Sequence, residues 1–486
     1  MAGSPQVGYS DNRRLQANLT RVPLTNVCIL VNRLETRHPV GMRTGEPPLS
    51  AAAGPVRAAW RRTGSFLPAA VVLVVAGGAA LALRDDHRLK SLDEPAFVDL
   101  ADNLALHGRF AHTNRPDIEG YDRTLASGEL RPTAYRAPGY AWMLAPLRRL
   151  GAGYPALRIA NFVLVALGLW ILNSLAARHA GAGAGAIGIV LVLLYPVIFY
   201  AASTLYPQTL AAFLLLCSVS LLHRIDRACR LRTCALAGLI YGALVLTVPV
   251  FLALAPIVVG WLGWIRRAGA KRLAVVVLAI SAPAAAWMAR NSAAFHVPTG
   301  LATSSGFNLL AGNGPQTRFD QATADIRWPK GVRAQVVGKN EAERDQIFRR
   351  AALASVRERP AEAATLYLKK FLHWFAFRNA LVSDLIVAGG AGAGPAWLRD
   401  ALMLISYGLL LGILGLRLAL LRRHPIDALE GLILALYLGG GLVYAMYFTR
   451  IRFRLPFDWL LIALDAIFLA RLLQRPGYPT STEQTT

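Results

Sequence analysis

Long apolar segments separated by short polar stretches dominate the chain from about residue 66 onward. Most of them approach the roughly 17–25 apolar residues that a helix needs to cross a bilayer. The pattern therefore predicts about ten membrane-spanning helices. They lie near residues 66–83, 157–176, 186–203, 206–222, 233–248, 250–265, 272–289, 400–421, 428–448 and 455–473.

The stretch 233–265 is too long for one spanning helix and short for two. Pro249 and Pro256 offer a break. Basic residues flank the stretch on both sides: Arg224, Arg227, Arg230 and Arg232 before it, and Arg266, Arg267, Lys271 and Arg272 after it. Because short loops rich in Arg and Lys stay in the cytoplasm, both flanks share a side and an even number of crossings separates them. We predict two short helices.

The same rule predicts that the turn near Arg178 and the loop with Arg422 and Arg423 face the cytoplasm, together with both chain ends. The two large loops, about 84–156 and 290–399, then face outwards. Their many basic residues do not oppose this placement, because long loops translocate largely regardless of charge.

Three regions follow from this topology. Residues 1–60 are polar, rich in Arg and without periodicity, which predicts a disordered basic cytoplasmic tail. Residues 61–475 form the transmembrane domain, and residues 476–486 a short cytoplasmic tail. The expected location is the inner membrane of a bacterium, crossed several times, with both termini in the cytoplasm.

Both outer loops contain amphipathic segments. One begins at Asp93, where apolar residues recur at helical spacing, and Pro95 suits a first helical turn. Two more cover 341–360 and 361–377. Amphipathic segments flanked by basic residues often lie in the membrane interface. The alternative is a small folded subdomain on the outer side.

Composition excludes two broad classes of protein. With 55% hydrophobic and only 16% charged residues among 486, the chain is too apolar for a soluble globular domain. The net charge of +24 would suit a nucleic-acid-binding protein. Most of the excess, however, is arginine at the ends of apolar segments, which fits orientation in a membrane. Nucleic acid is therefore not an expected partner, whereas membrane lipids are.

Candidate chemistry lies in the first outer loop. Asp93 and Glu94 form an acidic pair where the chain leaves the membrane, and Arg136 in the sequence RAPGY precedes its return. Carboxylates and an arginine at the membrane surface suggest chemistry on a membrane-borne anionic substrate. The alternatives are a helix cap for the acidic pair and an interfacial arginine contacting lipid headgroups for Arg136.

Six segments, in this order, resemble the polytopic glycosyltransferases of the GT-C superfamily. The resemblance is to bacterial members similar to glycosyltransferase family 39, which includes protein O-mannosyltransferases and the aminoarabinose transferase of lipid A. It extends over about residues 65 to 475. The segments are LDEPAFVDLADNLALHGRF, TAYRAPGYAWMLAP, LLYPVIFYAASTLYPQTLAAFLLL, WMARNSAAFHVPTGLATSSGFNLLAGNGP, ERDQIFRRAALASVRERP and RFRLPFDWLLIALDA. Gln208 and Val248 depart from the Glu and Arg that bacterial relatives often carry, which leaves the substrate open.

The resemblance implies an all-α, GT-C-like enzyme that acts on its outer face. Nucleotide sugars are absent there, so the expected donor is a polyprenyl-phosphate sugar and the acceptor a hydroxyl of a glycolipid, glycan or protein. The reaction needs a carboxylate base and cations that stabilise the phosphate. A base opposite the leaving group gives inversion. By resemblance the base is Asp93 or Glu94, with Asp93 favoured.

Three arginines are expected to bind the donor phosphate: Arg136, Arg452 and Arg454. The sequence TRIRFRLPF places Arg450, Arg452 and Arg454 in a short link that the topology puts outside, against the orientation rule. Alternation would place all three on one side of an extended link, and guanidinium matches phosphate in two-point contacts. The alternatives are contact with anionic headgroups, or a cytoplasmic link.

Three further residues are candidates for substrate binding: Arg290, Asn291 and Asn313. The asparagines could bond sugar hydroxyls, although Asn313 in GNGP also suits a turn. Some relatives use a divalent ion, and His107 and His112 could join Asp93 in holding one. Two histidines without a third ligand do not define a site, so no cofactor is predicted and a divalent metal stays an option only.

Other classes of protein share part of this pattern. A glycan polymerase or ligase outside the GT-C superfamily would also place arginines near an outer surface. A transporter of lipid-linked glycans often has paired repeats, and no internal repeat is evident in the sequence. A non-catalytic glycan-assembly protein is the third alternative. The sequence identifies neither the sugar nor the acceptor.

Overall fold

The computed structural model describes residues 66–84, 93–113, 128–319, 329, 331–377 and 396–474. Both predicted tails, 1–60 and 476–486, lie outside these residues, as do parts of the two outer loops. The described chain is almost entirely helical, with one two-stranded antiparallel sheet. The prediction of an all-α architecture is confirmed.

The helices follow one another along the chain as seventeen segments in the described residues. They are α1 (Phe66–Arg84), α2 (Glu94–His107), α3 (Gly139–Arg149), α4 (Tyr154–Ala180), α5 (Ala182–Leu193), α6 (Pro196–Ala202), α7 (Gln208–Leu222), α8 (Leu231–Thr247), α9 (Val250–Gly260), α10 (Ala270–Phe295), α11 (Ser305–Asn313), α12 (Val332–Val336), α13 (Glu341–Glu358), α14 (Pro360–His373), α15 (Ala396–Ala419), α16 (Ala428–Ala445) and α17 (Ile451–Leu473). A π-helical turn, Trp261–Ile265, extends α9. Strands β1 (Ala111–Thr113) and β2 (Leu130–Pro132) pair within the first outer loop.

Five described helices are long and apolar enough to cross a membrane: α1, α4, α10, α15 and α16. A sixth span results if α5 and α6, bent by 65° at their junction, count as one broken helix. Shorter apolar helices cover α7, α8 and Val250–Ile265. The protein is thus an integral membrane protein that crosses the bilayer several times. Each of the ten predicted spans coincides with a helix or a bent pair, while the number that cross stays a prediction.

The stretch 233–265, which is too long for one spanning helix and short for two, folds as two helices. α8 ends at Thr247, and Pro249 precedes α9, as the sequence predicts. The flanks of this pair are hydrogen-bonded to each other: Arg266 Nε donates to the Ile225 carbonyl at 3.1 Å and Arg272 Nε to the Cys229 carbonyl at 2.7 Å. Both flanks therefore lie at the same end of the bundle.

Helix α17 runs through the centre of the bundle. Every residue from Arg454 to Phe468 is buried, and all but three of them, Arg454, Asp458 and Asp465, are uncharged. At its C-terminal end, Asp427 accepts hydrogen bonds from Arg471 Nη2 and pairs with His179 Nε2, both at 2.7 Å. The ends of α4 and α17 and the start of α16 thus meet at one end of the molecule, in agreement with the predicted topology.

The second outer loop has a small hydrophobic core of its own. Buried side chains of α11, α12 and α13 form it: Leu310, Val332, Val336, Ile347, Phe348 and Ala352. α13 begins with a capping box, in which Asn340 and Glu343 exchange hydrogen bonds of 2.9 and 3.0 Å. The two amphipathic segments are therefore confirmed as helices, α13 and α14. α13 packs with α11 and α12 around this core, which fits the alternative of a small folded subdomain for that part of the loop.

Candidate active site

Asp93 lies at the centre of a polar cluster at one end of the bundle. It precedes α2, and its carboxylate accepts hydrogen bonds from three separate segments of the chain. Arg136 Nη2 donates to Oδ1 at 2.6 Å, while Arg452 Nη1 and the Tyr206 hydroxyl donate to Oδ2 at 3.0 and 3.2 Å. Three residues distant in sequence thus converge on one carboxylate.

Aromatic rings hold the two guanidiniums in place. Arg136 lies over the ring of Phe97 at 4.7 Å, and Arg452 lies over the ring of Tyr206 at the same distance. Such cation–π contacts are stronger where water is excluded. The backbone after Arg136 is fixed as well, because Gly139 packs directly on Thr247 at the end of α8. A Cβ at this position would collide with Thr247. The arginines are therefore pre-positioned.

The charges in the cluster do not cancel. Burial alone would raise the pKa of Asp93, but the charges of Arg136 and Arg452 and the hydrogen bonds they donate hold it well below its usual value. Asp93 is thus ionised, and the two guanidiniums and one carboxylate of the described cluster carry one net positive charge. The Nε atoms of both arginines are buried and lack a hydrogen-bond partner among the described residues. The cluster can accept a further anion.

Glu94 takes a different position from its neighbour. Its side chain is fully buried, and it accepts a hydrogen bond from the Leu205 amide at 3.1 Å. Arg158, also fully buried, lies 3.9 Å from its other carboxylate oxygen. Glu94 therefore ties the start of α2 to the segment that carries Tyr206. The structure separates the two acids, and Asp93 is the more exposed, at 22% of its side chain.

Arg290 braces the first outer loop, and Asn291 braces the start of the second. Arg290 donates to the carbonyl oxygens of Thr133 and Phe110, at 2.7 and 2.8 Å. Asn291 is fully buried and donates to the Gly300 carbonyl at 2.8 Å. Both side chains are hydrogen-bonded to backbone carbonyl groups of the loops, and neither belongs to the Asp93 cluster.

Asn313 ends α11 and contacts the link between α16 and α17. Its Nδ2 donates to the carbonyl oxygens of Leu309 and Met446, at 2.9 and 2.8 Å. Its Oδ1 accepts from Lys370 Nζ at 3.2 Å. Lys370 is fully buried, and burial lowers its pKa to about 8. Sequence did not single out Lys370, because nothing distinguishes it from the adjacent Lys369.

Arg454 belongs to a second, fully buried cluster. Its Nε donates to Asp458 at 3.0 Å, and its Nη1 donates to the Trp374 carbonyl at 2.6 Å. The guanidinium also lies over the Tyr407 ring, at 3.5 Å. The prediction of an extended link is wrong, because α17 already begins at Ile451. Helical geometry turns Arg454 roughly 200° away from Arg452, so the two arginines serve different clusters.

Tyr206 is a site residue that the sequence did not single out, and Gln208 follows it two residues later. Tyr206 bonds Asp93 directly. Gln208, the first residue of α7, is only 7% exposed, and its Oε1 has no hydrogen-bond partner within the described ranges. The sequence marked Gln208 only as a departure from the residue that bacterial GT-C enzymes often carry there. For Tyr206, the segment TLYPQT gave no cue beyond its place in the motif.

His112 pairs with Asp99 rather than with Asp93, at 3.0 Å from Nδ1 to Oδ2. The Thr113 amide donates to the same oxygen at 2.9 Å, so this contact joins β1 to α2. His107 is exposed in the last turn of α2. In the part of the chain that the structure describes, no three His, Cys, Asp or Glu residues are grouped to hold a metal ion.

Comparisons with known proteins found matches among solved structures. No protein-family model matches the sequence, and no curated protein matches it. Among solved structures, ArnT from Cupriavidus metallidurans bound to undecaprenyl phosphate is 16% identical, covers 86% of this chain and 78% of its own, and gives a TM-score of 0.36. The apo state of the same protein is 16% identical, covers 82% of this chain and 77% of its own, and gives a TM-score of 0.35.

Arabinosyltransferase EmbB from Mycobacterium smegmatis is also similar. It is 15% identical and matches 93% of this chain but only 44% of its own length, with a TM-score of 0.32. A glycosyltransferase by name is thus among the matches. At this level of similarity the solved structures assign no role to any residue of this chain.

Proposed function

We propose that this membrane protein is a glycosyltransferase that moves a sugar from a polyprenyl-phosphate donor to an acceptor hydroxyl, with inversion. The observation that carries the proposal is the ionised Asp93 held between Arg136 and Arg452, which come from opposite parts of the chain. It provides a carboxylate and two phosphate-binding cations within one cluster. The GT-C resemblance of the sequence supports the same chemistry.

The donor phosphate and Asp93 would compete for the same two guanidiniums. When phosphate oxygens take hydrogen bonds from Arg136 and Arg452, Asp93 loses the contacts that lower its pKa. The pKa then rises towards its ordinary value, and the carboxylate becomes a better base. Donor binding would in this way activate Asp93, while the Tyr206 hydroxyl continues to orient it.

In the transfer step, Asp93 takes the proton of the acceptor hydroxyl as its oxygen attacks the anomeric carbon. The bond between that carbon and the phosphate oxygen breaks, and its electron pair stays on the phosphate. Arg136 and Arg452 stabilise the resulting charge. Attack from the face opposite the phosphate inverts the anomeric centre. The acceptor would be a hydroxyl of a glycolipid, a glycan or a protein.

The first test is binding of polyprenyl phosphate to the purified protein. Arg136→Met and Arg452→Met should each weaken binding by roughly tenfold to a hundredfold, the range for losing hydrogen bonds to a charged group. Arg109→Met is the matched control, since Arg109 is exposed in the same outer loop. Equal affinity of all three variants and the wild type would show that the phosphate does not bind at this cluster.

The proposal also places the reaction on the outer face of a bacterial inner membrane. In a cysteine-free background, cysteines at the exposed positions Glu129 and Gln335 should react with a membrane-impermeant reagent in intact cells. A cysteine at the exposed Arg423 should react only after lysis, because that loop is expected in the cytoplasm. The opposite labelling pattern would invert the topology and place the cluster in the cytoplasm.

A further inference from the structure

The link 446–450 carries the chain from α16 into Arg452, and the second outer loop holds its backbone. Lys370 Nζ donates to the Tyr447 carbonyl at 3.0 Å. The Thr449 hydroxyl donates to the Lys370 carbonyl at 2.8 Å. One residue of α14 therefore bonds the link through both its side chain and its backbone, immediately before the helix that bears Arg452.

A second contact fixes the same link from α11. Asn313 donates to the Met446 carbonyl at 2.8 Å, and Lys370 Nζ donates to the Gly312 carbonyl at 3.0 Å. A Cβ on Gly312 would collide with the Tyr447 carbonyl. Backbone thus packs directly on backbone here, which only glycine allows. The ammonium of Lys370 bridges both sides of this contact.

The ammonium of Lys370 has uncharged partners only in the described structure. Its three hydrogen-bond acceptors are the carbonyls of Gly312 and Tyr447 and the side-chain oxygen of Asn313. These match the three donors of an ammonium group. Burying a charge among neutral groups is costly for stability, so an apolar side chain would suit simple packing better. The contacts of Lys370 thus specify one position of the link.

We propose that Lys370 is a positioning residue that sets the placement of Arg452 against Asp93. The second outer loop would thereby be coupled to the phosphate-binding cluster through the link 446–450. This inference rests on the proposed function, because it takes Arg452 as a ligand of the donor phosphate. Lys370 itself touches neither Asp93 nor Arg452, and acts through the backbone that leads to Arg452.

The test measures the Kd of polyprenyl phosphate and the number of binding sites per protein for Lys370→Met, Lys370→Arg and Lys369→Met. Lys369 is the matched control, because it is the neighbouring lysine and is exposed. Lys370→Met should raise the Kd on the order of tenfold, the size of a typical coupling through a packed network. Lys370→Arg should recover part of the affinity, and Lys369→Met should bind like the wild type.

Gly312→Ala provides a second variant that leaves the charge in place. It should displace the Tyr447 carbonyl and raise the Kd in the same direction, even if Lys370→Met folds poorly. A combined Lys370→Met and Arg452→Met variant should bind no more weakly than Arg452→Met alone, since Lys370 acts through Arg452.

Three results would overturn the inference. The first is a wild-type Kd in Lys370→Met and Gly312→Ala with only fewer active sites, which indicates a merely structural role. The second is additive losses in the combined variant. Either leaves the proposed function standing, provided that binding still depends on Arg452. The third, no binding of polyprenyl phosphate by the wild type, overturns the inference and the proposed function together.

Discussion

Sugar transfer should fall by roughly 10²–10⁴-fold in Asp93→Asn, the usual cost of losing a general base. Asparagine keeps the shape of the side chain but cannot take the proton of the acceptor. Binding of polyprenyl phosphate should be at least as tight as in the wild type. The reason is that Asp93 is the anion with which Arg136 and Arg452 pair in the ligand-free cluster.

Both quantities can be measured on one preparation, with Asp102→Asn as the matched control. Asp102 is another acid of α2, and it pairs with Arg148 rather than with the Asp93 cluster. Its substitution should leave turnover within a few-fold of the wild type. Turnover near the wild-type rate in Asp93→Asn would show that Asp93 is not the general base. Lost donor binding in the same variant would show that Asp93 is needed to position the arginines.

Arg454→Met should destabilise the protein by about 3–5 kcal/mol, the usual cost of breaking a buried ion pair from one side. The substitution leaves the Asp458 carboxylate buried, with the Tyr195 hydroxyl at 2.7 Å as its remaining described partner. It also removes the donors to the carbonyl groups of Trp374 and Ala376. These carbonyls directly follow α14, where the second outer loop packs on α17.

The measurement is thermal unfolding in detergent, compared with Arg452→Met. Arg452 is two residues earlier on the same helix, and its loss should weaken ligand binding with a much smaller effect on unfolding. Replacing both members of the pair, in Arg454→Met with Asp458→Leu, should recover much of the stability, because no buried charge is then left unpaired. An unfolding temperature of Arg454→Met close to that of the wild type would contradict the structural role.

The helices could be predicted largely from the sequence, because a long run of apolar residues indicates a membrane helix without any information on tertiary contacts. The flanking arginines resolved 233–265 into two helices, and Pro249 marked the break. The bend between α5 and α6 was not predicted, since the run 186–203 is apolar on both sides of it. Secondary structure in the second outer loop was predictable for α13 and α14, whose apolar stripes are continuous.

The candidate site was only partly predictable. Asp93, Arg136 and Arg452 could each be named from charge and position, but their contact depends on how three distant segments pack. Arg454 looked equivalent to Arg452 because the sequence does not show where α17 begins. Because α17 starts at Ile451 rather than near residue 455, the two side chains turn apart. Lys370 has no local signal, since its role comes from backbone carbonyls of other segments.

The most direct test of the proposed function is transfer by the purified wild type in lipid nanodiscs with a radiolabelled polyprenyl-phosphate sugar and a mixture of membrane glycolipid acceptors. Label should leave the polyprenyl lipid, polyprenyl phosphate should accumulate in equal amount, and both signals should disappear in Asp93→Asn. Donor that binds in an Arg452-dependent way but keeps its sugar, with Asp93→Asn behaving like the wild type, would contradict the proposed function.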